Sequence, residues 1–121
     1  MNLLIADDST VVRERLAQML TGVAGIEIVG QAWVVSEALE SIRALRPEVV
    51  ILDIEMRGGS GIDVLREVKR TYPSIVAIMF TNHVDPQYKR RCAALGADYF
   101  LCKSTDAGLL IEIVEQLARG R

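Results

Sequence analysis

Short apolar runs recur along this chain, and a polar residue with chemistry of its own stands directly behind several of them. Asp7 and Asp8 follow Leu3-Leu4-Ile5-Ala6, and Asp53 follows Val49-Val50-Ile51-Leu52. Thr81 follows Ile75-Val76-Ala77-Ile78-Met79-Phe80, and Lys103 follows Tyr99-Phe100-Leu101-Cys102. Unbroken apolar runs of this length are what strands look like when both faces of a sheet are covered. If the strands are parallel, their carboxyl ends share one edge, and Asp7, Asp8, Asp53, Thr81 and Lys103 all emerge there.

Helical stripes fill the spaces between the runs. Val12, Leu16, Met19 and Leu20 recur at helical spacing, as do Ala38, Leu39, Ile42 and Leu45, then Ile62, Leu65 and Val68. Tyr88, Cys92 and Leu95 mark a fourth helix, and Leu109, Leu110, Ile113, Val114 and Leu117 a fifth. A remaining strand, Ile26 to Ala32, shows alternation. Pro47 and Pro73 sit just before the third and fourth strands. Asp85-Pro86 predicts an N-cap with proline at the first helical position. Ser60 with Asp63 three residues on predicts a capping box, and Gly96 falls where the fourth helix should end. Five repeats of strand then helix predict an α/β fold, a doubly wound five-stranded parallel sheet with five helices on its two faces and right-handed crossovers.

Composition excludes several classes. The 121 residues suffice for one domain, spanning 1–121, and not for two. Half of the chain is hydrophobic but only 5% aromatic, so the core must be built of Leu, Ile, Val and Ala. The net charge is −2 and no basic stripe interleaves with aromatics, so this domain is not expected to bind nucleic acid. Lys89-Arg90-Arg91 reads as a solvated helix face. No apolar run approaches the roughly 18 residues that cross a bilayer, and the apolar start lacks a basic segment before it. The expected location is therefore the cytoplasm, with no membrane contact. Cys92 and Cys102 form neither a CxxC pair nor a metal spacing with His83, so both are read as free thiols.

In an open α/β sheet the ligand crevice lies where strand order reverses. For the order 2-1-3-4-5 the reversal falls between the first and third strands, the two that carry Asp7, Asp8 and Asp53. Two like charges about 4 Å apart repel by roughly 4 kcal/mol at an effective dielectric near 20, and a divalent cation reverses that sign. Oxygen ligands favour Mg2+. Lys103 adds a compact positive charge. Such a site suits phosphoryl transfer, which needs mainly positioning and charge neutralisation. Asp53, the lone aspartate on a central strand, is the choice for a carboxylate acceptor. Asp7 and Asp8, as a pair, are better placed to hold metal. Gly58-Gly59-Ser60-Gly61 lacks the GxxxxGK[ST] pattern and reads as a flexible turn into the third helix. Trp33 is assigned to local packing in a loop, and His83 to an exposed loop.

Taken together, the segments Leu-Ile-Ala-Asp7-Asp8-Ser, Val-Val-Ile-Leu-Asp53-Ile-Glu-Met, Gly61-Ile-Asp-Val-Leu, Thr81 and Gly96-Ala-Asp-Tyr-Phe-Leu-Cys-Lys103 resemble the receiver domain of two-component response regulators over essentially the whole chain. The resemblance implies a flavodoxin-like fold and phosphorylation of Asp53 by a sensor histidine kinase or phosphotransfer protein. It implies Mg2+ held by the side chains of Asp8 and Asp53, by Asp7 mainly through water and by the Glu55 backbone carbonyl. Lys103 would pair with Asp53 or its phosphate, and Thr81 would hydrogen-bond a phosphoryl oxygen. The Asn82 backbone N–H would reach the phosphate, and Phe100 would switch rotamer with Thr81. The fourth-helix, fifth-strand, fifth-helix surface would then report to a downstream target or output domain. The protein would be a regulator, catalysing only its own phosphorylation and dephosphorylation.

The chain departs from that pattern at Arg57, at Val34-Val35, at Asn82 and at Ser104. Ser104 stands where the family has a proline after a typically cis bond; a cis bond to serine would cost about 2.5–4 kcal/mol, so this loop should be strained or rearranged. Two other readings stay open: a phosphorylation-independent interaction module and a Mg2+-dependent phosphohydrolase. The sequence names neither kinase nor target, and homodimerisation through the last helices stays open.

Overall fold

A computed structural model describes residues 1–120. The strands are β1 (Asn2–Ala6), β2 (Glu27–Ala32), β3 (Val49–Leu52), β4 (Glu55–Met56), β5 (Gly59–Ser60), β6 (Val76–Thr81) and β7 (Tyr99–Cys102). The helices are α1 (Thr10–Thr21), α2 (Val35–Leu45), α3 (Gly61–Thr71), α4 (Pro86–Ala94) and α5 (Ala107–Arg119). The main sheet has the order β2-β1-β3-β6-β7, and all its pairings are parallel. Counted within that sheet, the order is the expected 2-1-3-4-5.

Strand periodicity divides the core in two, because successive side chains point to opposite faces. Leu4, Val50, Leu52, Ala77 and Met79 join α2, α3 and α4 on one side. Leu3, Ile5, Val49, Ile51, Ile78 and Phe80 join α1 and α5 on the other. β1 and β3 are apolar on both faces because both are covered; β2 is one of the two edge strands and is only half-buried along most of its length.

Two corrections concern the loops. The Gly58–Gly61 segment is more than a turn into the third helix: β4 and β5 pair antiparallel as a small hairpin leading into α3. Gly58 and Gly59 have φ values of 77° and 146°, a region open to glycine, which lets the chain reverse so tightly. At the other departure, α2 begins at Val35 with no side-chain cap. Its first N–H is satisfied across space instead, donating to the Arg57 carbonyl at 2.9 Å.

The caps at the remaining helices divide. The Ser60–Asp63 capping box is present in both directions. Asp85 precedes Pro86 at the start of α4 as expected, but its side chain makes no capping bond. Gly96 follows α4 with φ 98°. Cys92 is buried and Cys102 half-buried, both as free thiols. Among the described residues no helix is long and apolar enough to cross a membrane.

Candidate functional site

The ladder that ends β1 and β3 sets the two central aspartates side by side. The Asp53 N–H donates to the Ala6 carbonyl at 3.0 Å, and the Asp7 N–H donates to the Ala32 carbonyl at 3.0 Å. Asp7 is 2% exposed and Asp53 3%, at the point where strand order reverses. Asp8, half-buried, completes a group of three carboxylates whose oxygens lie within 4.8 Å of one another.

Lys103 reaches across from the end of β7. Its Nζ lies 2.7 Å from Asp7 Oδ2 and 2.7 Å from Asp53 Oδ2. Its backbone N–H donates to the Thr81 carbonyl at 3.0 Å, so the β6–β7 ladder continues one residue past the sheet and aims the side chain. No cis peptide bond occurs among the described residues. Lys103–Ser104 is trans, and Lys103 reaches Asp53 from it.

Burial and pairing compete at these groups. For Asp7, burial is the largest influence; it outweighs the hydrogen bonds from Lys103 and Ser9 and raises the carboxyl above its ordinary 3.8. For Lys103, burial acts the other way, but hydrogen bonds to Asp53 and Asp7 outweigh it and hold the ammonium above 10.5. Lys103 has two carboxylate partners where Asp7 has one cation, so pairing wins at one end and desolvation at the other. The pH signs follow from linkage. The Lys103 contribution to stability is complete below pH 10.5 and is lost as pH rises through its native value. The native state holds the Asp7 proton more tightly than the unfolded chain does, so stability falls as pH rises from about 3.8 through the raised value. In chelator-treated protein, Asp7→Asn is expected to raise the thermal midpoint by a few degrees at pH 7, with the gain shrinking towards pH 4. Thermal unfolding at the two pH values checks this; an equal gain at both would show that burial of the charge is not the cause.

One atom is left over. Asp53 Oδ1 is buried without a hydrogen-bond partner. An unsatisfied buried acceptor costs about 1–3 kcal/mol and more when charged, so the site is complete only when something electropositive meets it. Hard carboxylate oxygens fit Mg2+, whose octahedral ligands lie about 2.0–2.1 Å from the ion and hence roughly 4 Å apart across it. The three carboxylates are already gathered at about that scale.

Thr81 is fully buried at the end of β6, and its Oγ1 accepts a hydrogen bond from the His83 N–H at 3.1 Å. The Asn82 side chain is exposed, and its Oδ1 accepts from Ser104 Oγ at 2.8 Å. The Glu55 carboxylate stands outside the acidic group and faces His83, with 3.7 Å between Oε1 and Nε2. His83 itself packs edge-on against Tyr88, so it is less of a free loop side chain than expected. Phe100 is half-buried on β7 against the α2–α4 side of the core. Arg13 was not foreseen. It is buried, and its guanidinium donates to the Asp7 carbonyl at 2.7 Å. The signal was available, since Arg13 shares the inner stripe of α1 with Leu16 and Leu20.

A family model described as the response regulator receiver domain matches residues 3–115. Response regulator GacA of Pseudomonas aeruginosa is 28% identical over 118 residues, 98% of this chain and 55% of that protein. The chain thus spans about half the length of the curated relatives it matches. The isolated REC domain of RcsB from Salmonella enterica serovar Typhimurium, solved with the phosphomimetic BeF3−, superposes with a TM-score of 0.90 at 25% identity, covering 100% of this chain and 90% of that one. A chain of the CheX–CheY–BeF3–Mg2+ complex from Borrelia burgdorferi gives 0.88 at 27% identity, covering 97% and 88%.

Proposed function

The chain belongs to the response regulator receiver domain family, and from that premise we propose that residues 1–121 act as one phosphoacceptor switch in which Asp53 takes the phosphoryl group. The observation that carries this reading is Asp53 itself: buried, held through Oδ2 by Lys103, with Oδ1 unpartnered beside two further carboxylates. On this reading Asp8 and Asp53 hold Mg2+ by side chain, Asp7 through water and Glu55 through its carbonyl. Bound there, the ion supplies positive charge that offsets the carboxylates and the phosphoryl oxygens.

The residues do the rest. A carboxylate oxygen of Asp53 forms a bond to phosphorus as the donor's phosphorus–nitrogen bond breaks, and that electron pair stays on the donor imidazole. The Lys103 ammonium, already in place, neutralises negative charge gathering at the acceptor. Thr81 Oγ1 accepts from His83 N–H, which leaves its own proton free to donate to a phosphoryl oxygen, and the Asn82 N–H offers a second donor. Drawing Thr81 inward makes room for Phe100 to move. Driving such an equilibrium from 1:99 to 99:1 takes about 5.5 kcal/mol, within reach of a few charge-assisted hydrogen bonds. The surface of α4, β7 and α5 would pass the change to an output domain or protein target. The donor would be a sensor histidine kinase or phosphotransfer protein in the cytoplasm. The protein is a signalling regulator rather than a classical enzyme.

The departures at Asn82 and Ser104 favour a second reading, an interaction module that does not use phosphate, because their hydrogen bond ties together the loops flanking the site. Incubation with acetyl phosphate separates the two. The switch gains one phosphoryl group by intact-mass measurement with Mg2+ and none with chelator. No Mg2+ binding by calorimetry at millimolar concentrations, together with no mass gain, would assign the chain to the second class.

A further inference from the structure

Among the described residues four polar or charged side chains are buried: Asp7, Asp53, Thr81 and Arg13. The first three are explained by the acidic site; Arg13 is not. Burying a guanidinium costs several kcal/mol unless its hydrogen bonds are remade, so its partners show what holds it there. Nη1 donates to the Asp7 carbonyl at 2.7 Å and Nη2 to Thr10 Oγ1 at 3.2 Å. The guanidinium also lies 4.8 Å from the centroid of the Trp33 ring.

Trp33 continues the connection. Its carbonyl accepts from the Arg57 N–H at 3.3 Å, and the Arg57 carbonyl accepts from the Val35 N–H at 2.9 Å. Arg57 is the turn residue of the hairpin whose first strand starts at Glu55. One path of contacts therefore joins the turn carrying Asp7 and Asp8 to the hairpin carrying Glu55, and its middle is the Arg13–Trp33 stack. The backbone bonds from Asp7 to Ala32 and from Asp53 to Ala6 join the same segments at the sheet; the Arg13–Trp33 stack adds a side-chain contact across the loops beyond it.

We infer that Arg13 and Trp33 form a bracket that sets the spacing of the acidic pocket, with Arg13 a positioning residue for the divalent-cation site. The inference rests on the Mg2+ reading above. It opposes what charge alone dictates. A fixed cation beside a cation site repels the ion, so if Arg13 acted only through its charge, removing it would tighten binding. A bracket gives the reverse sign, because groups that orient metal ligands typically cost 10–100-fold in affinity when lost.

The test is Mg2+ affinity by calorimetry on folded protein, with the thermal midpoint measured in parallel. Arg13→Gln is expected to bind Mg2+ about tenfold more weakly, while Arg15→Gln, which removes the same charge from the exposed side of α1, leaves affinity unchanged or slightly higher. Affinity equal to or above wild type in Arg13→Gln overturns the bracket, as does a loss in Arg15→Gln of the same size. Should Arg13→Gln not fold, Arg13→Lys keeps the charge but loses the fork and the stack; it too must bind more weakly, and unchanged affinity refutes the inference. Trp33→Leu must weaken binding, and the Arg13→Lys/Trp33→Leu double variant must lose no more than its weaker-binding parent, since both act through one contact. Additive losses would show two independent effects and sink the bracket. Wild type that binds no Mg2+ overturns the pocket reading and the bracket together; a binding wild type with unaffected variants overturns the bracket alone.

Discussion

Asp53→Asn is expected to take up no phosphoryl group above background from acetyl phosphate or from a phosphorylated kinase, under conditions in which wild type is modified. The substitution changes little besides the nucleophile. The amide has the size of the carboxylate and keeps an oxygen for Lys103, now 2.7 Å from Oδ2. It cannot form the acyl phosphate, because a neutral amide oxygen is too weak a nucleophile. It also removes one of three clustered negative charges at the loss of one of the two ion pairs to Lys103, so the fold should stay close to wild type in stability, and loss of labelling could not be blamed on unfolding. Intact-mass measurement and thermal unfolding on the same preparation check both halves. Labelling of the variant at the wild-type level would move the acceptor elsewhere, with Asp7 and Asp8 the nearest carboxylates, and the role given to Lys103 would move with it.

The sequence made the sheet readable because each central strand is buried on both faces, which forces an uninterrupted apolar run. Leu3 to Ala6 and Val49 to Leu52 announced β1 and β3 for that reason, and the polar residue after each run marked the sheet edge. Asp7, Asp53 and Lys103 were legible from position alone. What stayed hidden was either too short to leave a pattern or held by contacts between segments far apart in the chain. The β4–β5 hairpin has only two residues per strand, too few for any alternation to show, and its glycines suggested looseness. Arg13 could be seen on the apolar stripe of α1, but its ring partner Trp33 lies twenty residues on, across a strand. The placement of Lys103 has the same origin. The bond from its N–H to the Thr81 carbonyl aims the side chain, and no local pattern around Ser104 encodes that pairing.

Gly61→Ala should be among the most damaging single substitutions in the chain, and the reason joins fold to site. Gly61 opens α3, and its N–H donates to the Ile54 carbonyl at 2.8 Å. A methyl group placed on it would overlap the Asp53 carbonyl oxygen and lie 2.7 Å from the carbonyl carbon, with the Ile54 Cα 3.2 Å away. These are backbone atoms, so no rotamer change relieves the clash; the start of α3 or the end of β3 must move. Overpacking commonly costs about 1–3 kcal/mol, and a backbone clash belongs at or beyond the upper end, out of a total stability of about 5–15 kcal/mol. The midpoint is expected to fall by about 10 °C or more. Any variant molecules that fold should label poorly, because the displaced atoms belong to Asp53, the proposed acceptor. Gly108→Ala is the control: it sits in the first turn of α5 with no neighbouring atom within 4 Å of the added methyl, so its midpoint should match wild type or rise slightly. Thermal unfolding of both variants decides the point. If Gly61→Ala melts with wild type and labels normally, the start of α3 does not press against Asp53 as described. A loss confined to Gly61→Ala identifies the glycine as the residue that lets α3 start directly against the backbone of Asp53 and Ile54.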